Sequence, residues 1–309
     1  MFPAQPTRRR GGFTLVEMIV VMTIILMMAA LGIAFLPRFL DNQLQTRAVD
    51  QLTQWLLTAK QRAKRDGVPT GVRILADPTT LQATQMEYVQ QPDPYTGGLC
   101  TSVNATNSGG VLFSTVTLQL GGVDFEGAAT NSQLTNWIVQ PGDYLQLNGG
   151  GPIYLIQTVR STNVTIVNTQ VTIAAPTPNY KIIRQPRRLI GEDLMTLPQD
   201  MIVDFTTNSG TSAPYSLNVP QRQVAGIANV FEILFAPSGA VIGQGTPSGK
   251  IILWVRNVNK AQADPGNVTL ITIQIRTGQI AAHPINITPD ANGNIDFYRF
   301  TEDGRSSGL

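Results

Sequence analysis

The sequence has too few reactive side chains for several classes of functional site. Cys100 and His283 are the only cysteine and the only histidine among 309 residues. One cysteine excludes an intrachain disulfide and a zinc site built on thiolates, and one histidine excludes a site that needs two imidazoles. Charged residues make up 14% of the chain and the net charge is +2, so there is no strong electrostatic attraction to nucleic acid. The apolar share of 42% excludes a disordered protein.

One long hydrophobic run lies close to the N-terminus. Residues 13–36 contain a single charged side chain, Glu17, and about 20 apolar residues suffice to cross a bilayer. Three consecutive arginines precede the run: Arg8, Arg9 and Arg10. The positive-inside rule therefore predicts that residues 1–12 stay in the cytoplasm while the rest of the chain crosses the membrane. An uncleaved single-pass anchor and a secretory signal peptide are two interpretations, although the run is longer than the hydrophobic region of a signal peptide.

A third interpretation rests on the junction at residues 8–17, which reads RRRGGFTLVE. This stretch resembles the class III leader of type IV pilins and type II secretion pseudopilins. The resemblance implies that a prepilin peptidase removes residues 1–12 by cutting after Gly12, and then methylates the new N-terminus at Phe13. The two glycines provide a flexible stretch of bare backbone that a protease cleft can accept.

Glu17 becomes the fifth residue of the processed chain. A carboxylate within an apolar helix is costly, which makes it a functional candidate by default. The resemblance implies that Glu17 faces the terminal amine of a neighbouring subunit as a filament grows. This pairing neutralises both charges in a dry environment.

An amphipathic pattern follows Pro37. Apolar residues recur at intervals of three and four from Leu44 to Ala63, and Gly67 is a predicted C-cap. One long helix is therefore expected from Thr14 to Asp66, with a break allowed at Pro37. Its first part, residues 13–36, is apolar all round. Its second part, residues 37–66 (the stalk helix), has one apolar stripe that is typical of packing against a domain, with Trp55 as the expected anchor. The basic residues 60–65 are expected on a solvated face.

Strand patterns dominate beyond residue 67. Val68–Leu75 and Leu81–Gln90 predict a hairpin with a turn at Asp77. A helix that runs directly into a hairpin resembles the H-type minor pseudopilins and the related FimT-type minor pilins, and the phrases FAPSGAV and ITIQIRTGQI resemble the closing strands of that branch. The resemblance implies an α+β, pilin-like fold, with the long helix packed on an antiparallel β-sheet formed by residues 67–114 and 186–309.

The chain is longer than typical members of this branch, and the additional segment is expected in its middle. Residues 115–185 contain short alternating runs separated by glycine, proline and asparagine. This pattern predicts an inserted small β-barrel or sandwich of five or six strands. We expect it to alter surface contacts rather than to carry catalysis.

A candidate metal loop lies near the C-terminus. Oxygen ligands alternate along it at Asp290, Asn292, Asn294 and Asp296. Calcium binds such loops, but the glycine position and the bidentate glutamate of an EF-hand are missing, and Asn-Gly is a common turn. The plain turn is favoured, and no metal or cofactor is expected. His283 is expected at a surface or a strand end, and Cys100 as a thiol outside any disulfide.

The sequence therefore predicts a structural protein rather than an enzyme: a minor pseudopilin of type II secretion. It is expected to span the inner membrane once, with a periplasmic C-terminal domain that later joins a filament. Its expected partners are the prepilin peptidase, other pseudopilins or pilins, the inner-membrane assembly platform and membrane lipid. One alternative is a minor type IV pilin in pilus assembly or DNA uptake, although DNA is not an expected partner because only Arg299 and Arg305 lie near the C-terminus. The other is an unrelated membrane-anchored β-domain.

Overall fold

One long helix and two antiparallel β-sheets form the described part of the protein. The structure, a computed structural model, describes residues 14–96, 99–108, 111–119, 138–147, 152–160, 163–167, 180–207, 214–224, 227–243, 249–291 and 293–303. The expected α+β class is therefore confirmed.

Helix α1 spans Leu15–Asp66 and is continuous through Pro37, so the break allowed there is absent. Thr14 is the N-cap, with an extended backbone at φ −77° and ψ 152°, and its hydroxyl accepts a hydrogen bond from the Glu17 N–H at 3.2 Å. Gly67 ends the helix in the left-handed conformation at φ 67°, which glycine adopts without a steric penalty. Both ends therefore agree with the sequence prediction.

Eighteen strands and one short helix follow within the described residues. In chain order they are β1 Thr70–Ala76, β2 Gln82–Gln90, β3 Tyr95–Thr96, β4 Leu99–Ser108, β5 Val111–Gln119, β6 Tyr144–Leu147, β7 Ile153–Val159, β8 Asn163–Val167, β9 Tyr180–Ile183, β10 Arg187–Arg188, β11 Met195–Thr196, β12 Met201–Asp204, β13 Gln221–Val224, β14 Ile227–Phe235, β15 Val241–Ile242, β16 Lys250–Asn257, β17 Val268–Gln274, β18 Ile280–Pro284 and helix α2 Arg299–Asp303.

The main sheet has the order β13-β14-β1-β2-β12-β16-β17-β18, with β10 and β11 also paired to β2 and β15 paired to β14. The predicted hairpin of β1 and β2 is present, and Asp77 closes its turn by accepting hydrogen bonds from the backbones of Thr79 and Thr80. The strand series continues past Ile280, where the sequence prediction ends it, into β18.

The second half of α1 packs on one face of the main sheet. Its fully buried residues fall on the predicted apolar stripe: Ala48, Leu52, Leu56, Ala59 and Ala63. They share one core with residues of the central strands, including Ile74, Phe235 and Leu253. Trp55 is partly buried against the same core, as expected of an anchor. The alanines let the helix backbone approach the sheet closely, while the leucines supply most of the buried area.

Two basic residues of the stalk helix depart from the expected solvated face. Lys60 donates hydrogen bonds through Nζ to the carbonyl oxygens of Thr277 and Gly278, at 3.0 and 2.8 Å. Arg62 forms an ion pair with Glu192 at 2.8 Å. These contacts join the end of the helix to loops that lie far away in sequence, so part of the basic cluster stabilises the fold.

The second sheet has the order β3-β9-β6-β7-β8-β5-β4. Strands β6, β7, β8 and β9 lie within residues 115–185, where the sequence predicts short strands. The predicted start at residue 115, however, separates strands that pair with one another: β4 pairs with β5 along its length, and β5 pairs with β8. The sheet therefore begins at Tyr95 rather than at Thr115. Cys100 is fully buried in its core, and burial raises the pKa of that thiol.

Two chain segments connect the sheets, residues 91–94 and 184–186, here called the neck. Gln91 donates through Nε2 to the Arg184 carbonyl at 3.1 Å, and Arg184 donates through Nε to the Asp93 carbonyl at 2.6 Å. Just beyond the neck, Arg187 of β10 pairs in register with Gln90 of β2. The chain therefore leaves and re-enters the main sheet at neighbouring points.

His283 occupies the penultimate position of β18 opposite Leu270 and is only 8% exposed. The alternative of a strand-end position is thus the one observed, and the surface alternative is wrong. Burial of this imidazole follows from the pairing of β18 with β17, which the local sequence does not reveal.

Candidate assembly surface

The first part of α1, up to residue 30, exposes its apolar side chains in the isolated chain. All residues from 14 to 30, here called the assembly surface, are exposed. The twelve large apolar side chains among them range from 46% exposed at Val21 to 76% at Leu15. Monomeric soluble proteins rarely expose a contiguous apolar surface of this kind, and such a surface marks a protein or membrane interaction site.

The start of the helix is fixed by Thr14 and Glu17. Glu17 lies in the first turn, where a negative charge is favoured by the helix dipole, and its backbone N–H is bound by the Thr14 hydroxyl. The spacing from Thr14 to Glu17 is that of a capping box, so the cap is readable from the sequence even though our sequence analysis assigned no role to Thr14. The cap holds the Glu17 backbone in a defined position at the very end of the assembly surface.

The other predicted residues of this region cannot be placed. Arg8, Arg9, Arg10, Gly12 and Phe13 lie outside the described residues. The described chain begins at Thr14 in an extended conformation, and the first helical residue is Leu15. The predicted cleavage point thus precedes the helix in sequence.

Across the described residues, no helix combines the length and the hydropathy required for a membrane span. The bilayer-spanning segment expected at residues 13–36 stays a prediction.

The candidate calcium loop is organised by hydrogen bonds within the chain. Asp290 accepts the backbone N–H of Asn294 at 2.8 Å through Oδ1, and Asp296 accepts that of Tyr298 at 2.9 Å. Asn292 lies outside the described residues. In the part of the chain that is described, no group of three His, Cys, Asp or Glu side chains is arranged to hold a metal ion. The carboxylates of Asp290 and Asp296 thus stabilise turns of the chain.

A charged cluster lies on the face of the main sheet opposite α1. Arg73 on β1 donates through Nε to Glu232 Oε1 at 2.6 Å and through Nη1 to Glu87 Oε1 at 2.8 Å. It also donates through Nη2 to the Pro186 carbonyl at 2.8 Å. Because Arg73 is directly opposite both glutamates in the strand register, the three charges stabilise the centre of the sheet and connect it to the neck.

A second buried ion pair joins β12 to β16. Asp204 and Arg256 are at most 3% exposed and their Oδ2 and Nε atoms lie 2.6 Å apart. Thr206 donates to the other carboxylate oxygen of Asp204 from its hydroxyl and its backbone N–H. Since the lone pairs and donors of this cluster are satisfied inside the fold, it stabilises the sheet rather than forming an open site.

Comparison with known proteins identifies the N-terminal segment. A family model described as the prokaryotic N-terminal methylation motif matches residues 7–33. The matched range contains the predicted cleavage and methylation positions, Glu17 and the assembly surface. The match supports a type IV pilin-like protein, and a motif of this type implies processing by a prepilin peptidase and assembly with other pilins.

Beyond this motif the comparisons add little. No curated protein matches the chain. Among solved structures, the phage phi92 endosialidase is 12% identical over 71% of this chain and 36% of its own, with a TM-score of 0.19. The chain spans little more than a third of that protein, and a similarity of this size carries no argument about fold or function.

Proposed function

We propose that this protein is a minor pseudopilin of a type II secretion system, which assembles into a periplasmic filament used for protein secretion. The observation that carries the proposal is a methylation motif over residues 7–33 that includes the assembly surface, whose large apolar side chains are all exposed. Helix α1 is capped at Thr14, its side chains are exposed up to residue 30, and it packs on the main sheet from residue 44. Its first part is therefore available for contacts with partners, while its second part is held by its own domain.

The assembly surface serves two environments in turn. We propose that it lies in the inner membrane first, with Arg8, Arg9 and Arg10 on the cytoplasmic side and the sheets in the periplasm. In the filament, the same side chains pack against the helices of sister subunits. Apolar contacts are interchangeable between lipid and neighbouring helices, so transfer between the two requires little change in hydrophobic burial.

Glu17 sets the axial position of the subunit relative to its neighbours as it moves from the membrane into the filament. A carboxylate in an apolar bundle is strongly destabilising unless a positive charge meets it. The methylated amine at Phe13 of a neighbouring subunit is the proposed counter-charge. Only one axial offset between neighbours satisfies both groups, which makes the pairing a selector of subunit position.

The second sheet favours a minor role. Strands β3 to β9 form a seven-stranded sheet attached to the domain through the neck, and it enlarges every subunit that carries it. A filament built mainly from such subunits would have to leave room for this sheet at each position. We propose that the protein is instead present in few copies and initiates or caps the filament, while the assembly platform supplies the work and this chain supplies no active site.

The test of processing is the intact mass and the N-terminal residue of the protein extracted from its native membrane. We expect a chain that starts at an N-methylated Phe13. The Gly12→Val variant should accumulate uncut in the same cells. A retained Met1 in the presence of an active prepilin peptidase would refute the proposal and favour a simple anchor.

The test of assembly compares Glu17→Gln with Asp50→Asn. Asp50 is an exposed carboxylate on the same helix, so its loss removes the same charge outside the assembly surface. We expect Glu17→Gln to abolish crosslinking to other pseudopilins while methylation persists, and Asp50→Asn to crosslink as the unaltered protein does. Equal crosslinking by both variants would contradict the role of Glu17.

The methylation motif is shared with type IV pilins, so a minor pilin is the alternative proposal. Deletion of the gene distinguishes the two. Loss of secreted proteins from the culture medium with normal pili supports the pseudopilin, whereas loss of pili with normal secretion supports the pilin.

A further inference from the structure

A cleft of about 560 Å³ opens beside the neck. We call it the arginine cleft, because its lining residues include three arginines from one short stretch: Arg184, Arg187 and Arg188. Asp93 is the one acid of the lining, and Leu189 and Ile190 are among its apolar residues. Its volume lies within the range of ordinary ligand sites, about 300–1,000 Å³. None of these residues belongs to the assembly surface.

The charges of Arg184 and Arg187 are held by neutral partners. Arg184 donates to the Asp93 carbonyl oxygen, and Arg187 donates through Nη2 to the Ile138 carbonyl oxygen at 2.7 Å. Within the described ranges, no carboxylate oxygen lies within 4.0 Å of either guanidinium. Hydrogen bonds to carbonyl oxygens satisfy the donors but leave the positive charges of the two guanidiniums in place.

Arg188 is only partly compensated. Its Nε lies 3.6 Å from Glu87 Oε2, and Glu87 is already bound by Arg73 at its other oxygen. Arg188 Nη2 donates to the Glu192 carbonyl oxygen at 3.1 Å, which leaves the charge in place, and the side chain remains 51% exposed. Three of the residues that line the cleft are thus cations, and one, Asp93, is an acid.

Asp143 compensates part of the arginine charge from beneath the cleft lining. Burial lowers the pKa of Arg187, the charge of Asp143 raises it, and the nearby charge of Arg184 lowers it. The two carboxylate oxygens of Asp143 accept the backbone N–H groups of Gln140 and Gln185, and Asp143 is only 1% exposed. A ligand that enters the cleft therefore meets the arginines rather than this carboxylate.

Apolar surface adjoins the cations. The Ile190 side chain is fully exposed at 101%, and Leu189 beside it packs against the main core. A combination of arginine and exposed aliphatic side chains is typical of protein interfaces. A nucleic acid would instead call for a long basic stripe, and this chain has a net charge of only +2.

We propose that the arginine cleft binds an acidic segment of a partner protein. Its carboxylates pair with the guanidiniums, for which arginine geometry is well suited, and an aliphatic side chain of the segment packs on Ile190. This interaction does not depend on whether the filament serves secretion or a pilus, and none of the residues that line the cleft belongs to the assembly surface.

The test uses the full chain in detergent micelles and measures fluorescence anisotropy of a labelled peptide, Glu-Leu-Asp-Glu-Leu-Asp. The peptide Gln-Leu-Asn-Gln-Leu-Asn has the same shape without charge and should not bind. Arg188→Glu should weaken binding of the acidic peptide by at least about tenfold, the loss expected when a charge-assisted contact becomes repulsive. Arg160→Glu makes the same charge change at an exposed site on the second sheet outside the cleft and should leave binding unchanged.

Ile190→Ser is a second variant that tests the cleft if Arg188→Glu fails to fold. It should fold normally, because a fully exposed side chain contributes little to stability. It should weaken binding of the acidic peptide while thermal unfolding stays unchanged. No binding at millimolar peptide, equal binding of the uncharged peptide, or equal effects of Arg188→Glu and Arg160→Glu would overturn the proposal. A competition experiment can also overturn the proposal. If duplex DNA displaces the labelled peptide at a lower concentration of negative charges than the unlabelled peptide requires, the cleft is a phosphate site.

Discussion

The stabilising effects of the Arg73, Glu87 and Glu232 charges should depend strongly on one another, and the substitution Arg73→Met tests this. Methionine keeps the apolar stem of the side chain but removes the charge and all its hydrogen bonds. The change leaves Glu87 and Glu232, whose side chains are 10% and 6% exposed, without their shared cation. Removing one partner of a buried ion pair costs about 3–5 kcal/mol.

The lower end of that range is expected here, about 3 kcal/mol of unfolding free energy. Arg188 still lies 3.6 Å from Glu87 after the substitution and compensates part of its charge. Urea unfolding of the full chain in micelles, followed by tryptophan fluorescence, measures the loss. Trp254 is fully buried in the main sheet and reports on its unfolding.

A triple variant separates charge from packing. Arg73→Met combined with Glu87→Gln and Glu232→Gln removes all three charges, and neutral replacements of buried ionic clusters are often nearly as stable as the original. It should therefore recover most of the stability lost in Arg73→Met. A loss below about 1 kcal/mol in the single variant, or a triple variant no more stable than the single one, would refute the reasoning.

Three further perturbations have defined outcomes. Leu56→Ala should lower the free energy of unfolding by about 2–5 kcal/mol, because Leu56 is fully buried between α1 and the sheet, whereas Leu57→Ala at an exposed position should have little effect. Cys100 should react with iodoacetamide only as the second sheet unfolds, since it is fully buried and burial raises its pKa; rapid labelling of the native protein, detected by mass, would contradict this placement. Burial also raises the pKa of Asp143 above 3.8, so the folded state holds that proton more tightly than the unfolded chain does. Stability relative to Asp143→Asn should therefore fall as the pH rises from 3.8 through the raised pKa, and parallel pH profiles of urea unfolding would exclude the effect.

The sequence predicts the elements whose causes are local. The apolar stripe from Leu44 to Ala63 and the left-handed position at Gly67 define the stalk helix, because helical period and capping depend on residues a few positions apart. The first hairpin follows from two alternating runs and the Asp77 turn. The motif at residues 8–17 is equally local, and the family match over residues 7–33 supports it.

What the sequence could not predict depends on pairing between distant strands. Residues 111–119 have the pattern of a strand in either sheet, and only their register with Asn163–Val167 assigns them to the second one. The contacts of Lys60 with Thr277 and Gly278 join positions more than two hundred residues apart, so a basic helix end looked solvated. The arginine cleft is a similar case. Its three arginines are close in sequence, but they line a cleft together with Asp93 only because the chain returns to the main sheet through the neck.

The pairing of Gln90 with Arg187 has a consequence for the evolution of this fold. The main sheet resumes directly opposite the residue at which it was interrupted, so the length of the intervening chain does not alter any of its strand registers. The entropy cost of closing such a loop grows only with the logarithm of its length. The second sheet can therefore change in size without disturbing the pairing of strands in the main sheet or the packing of the stalk helix on it.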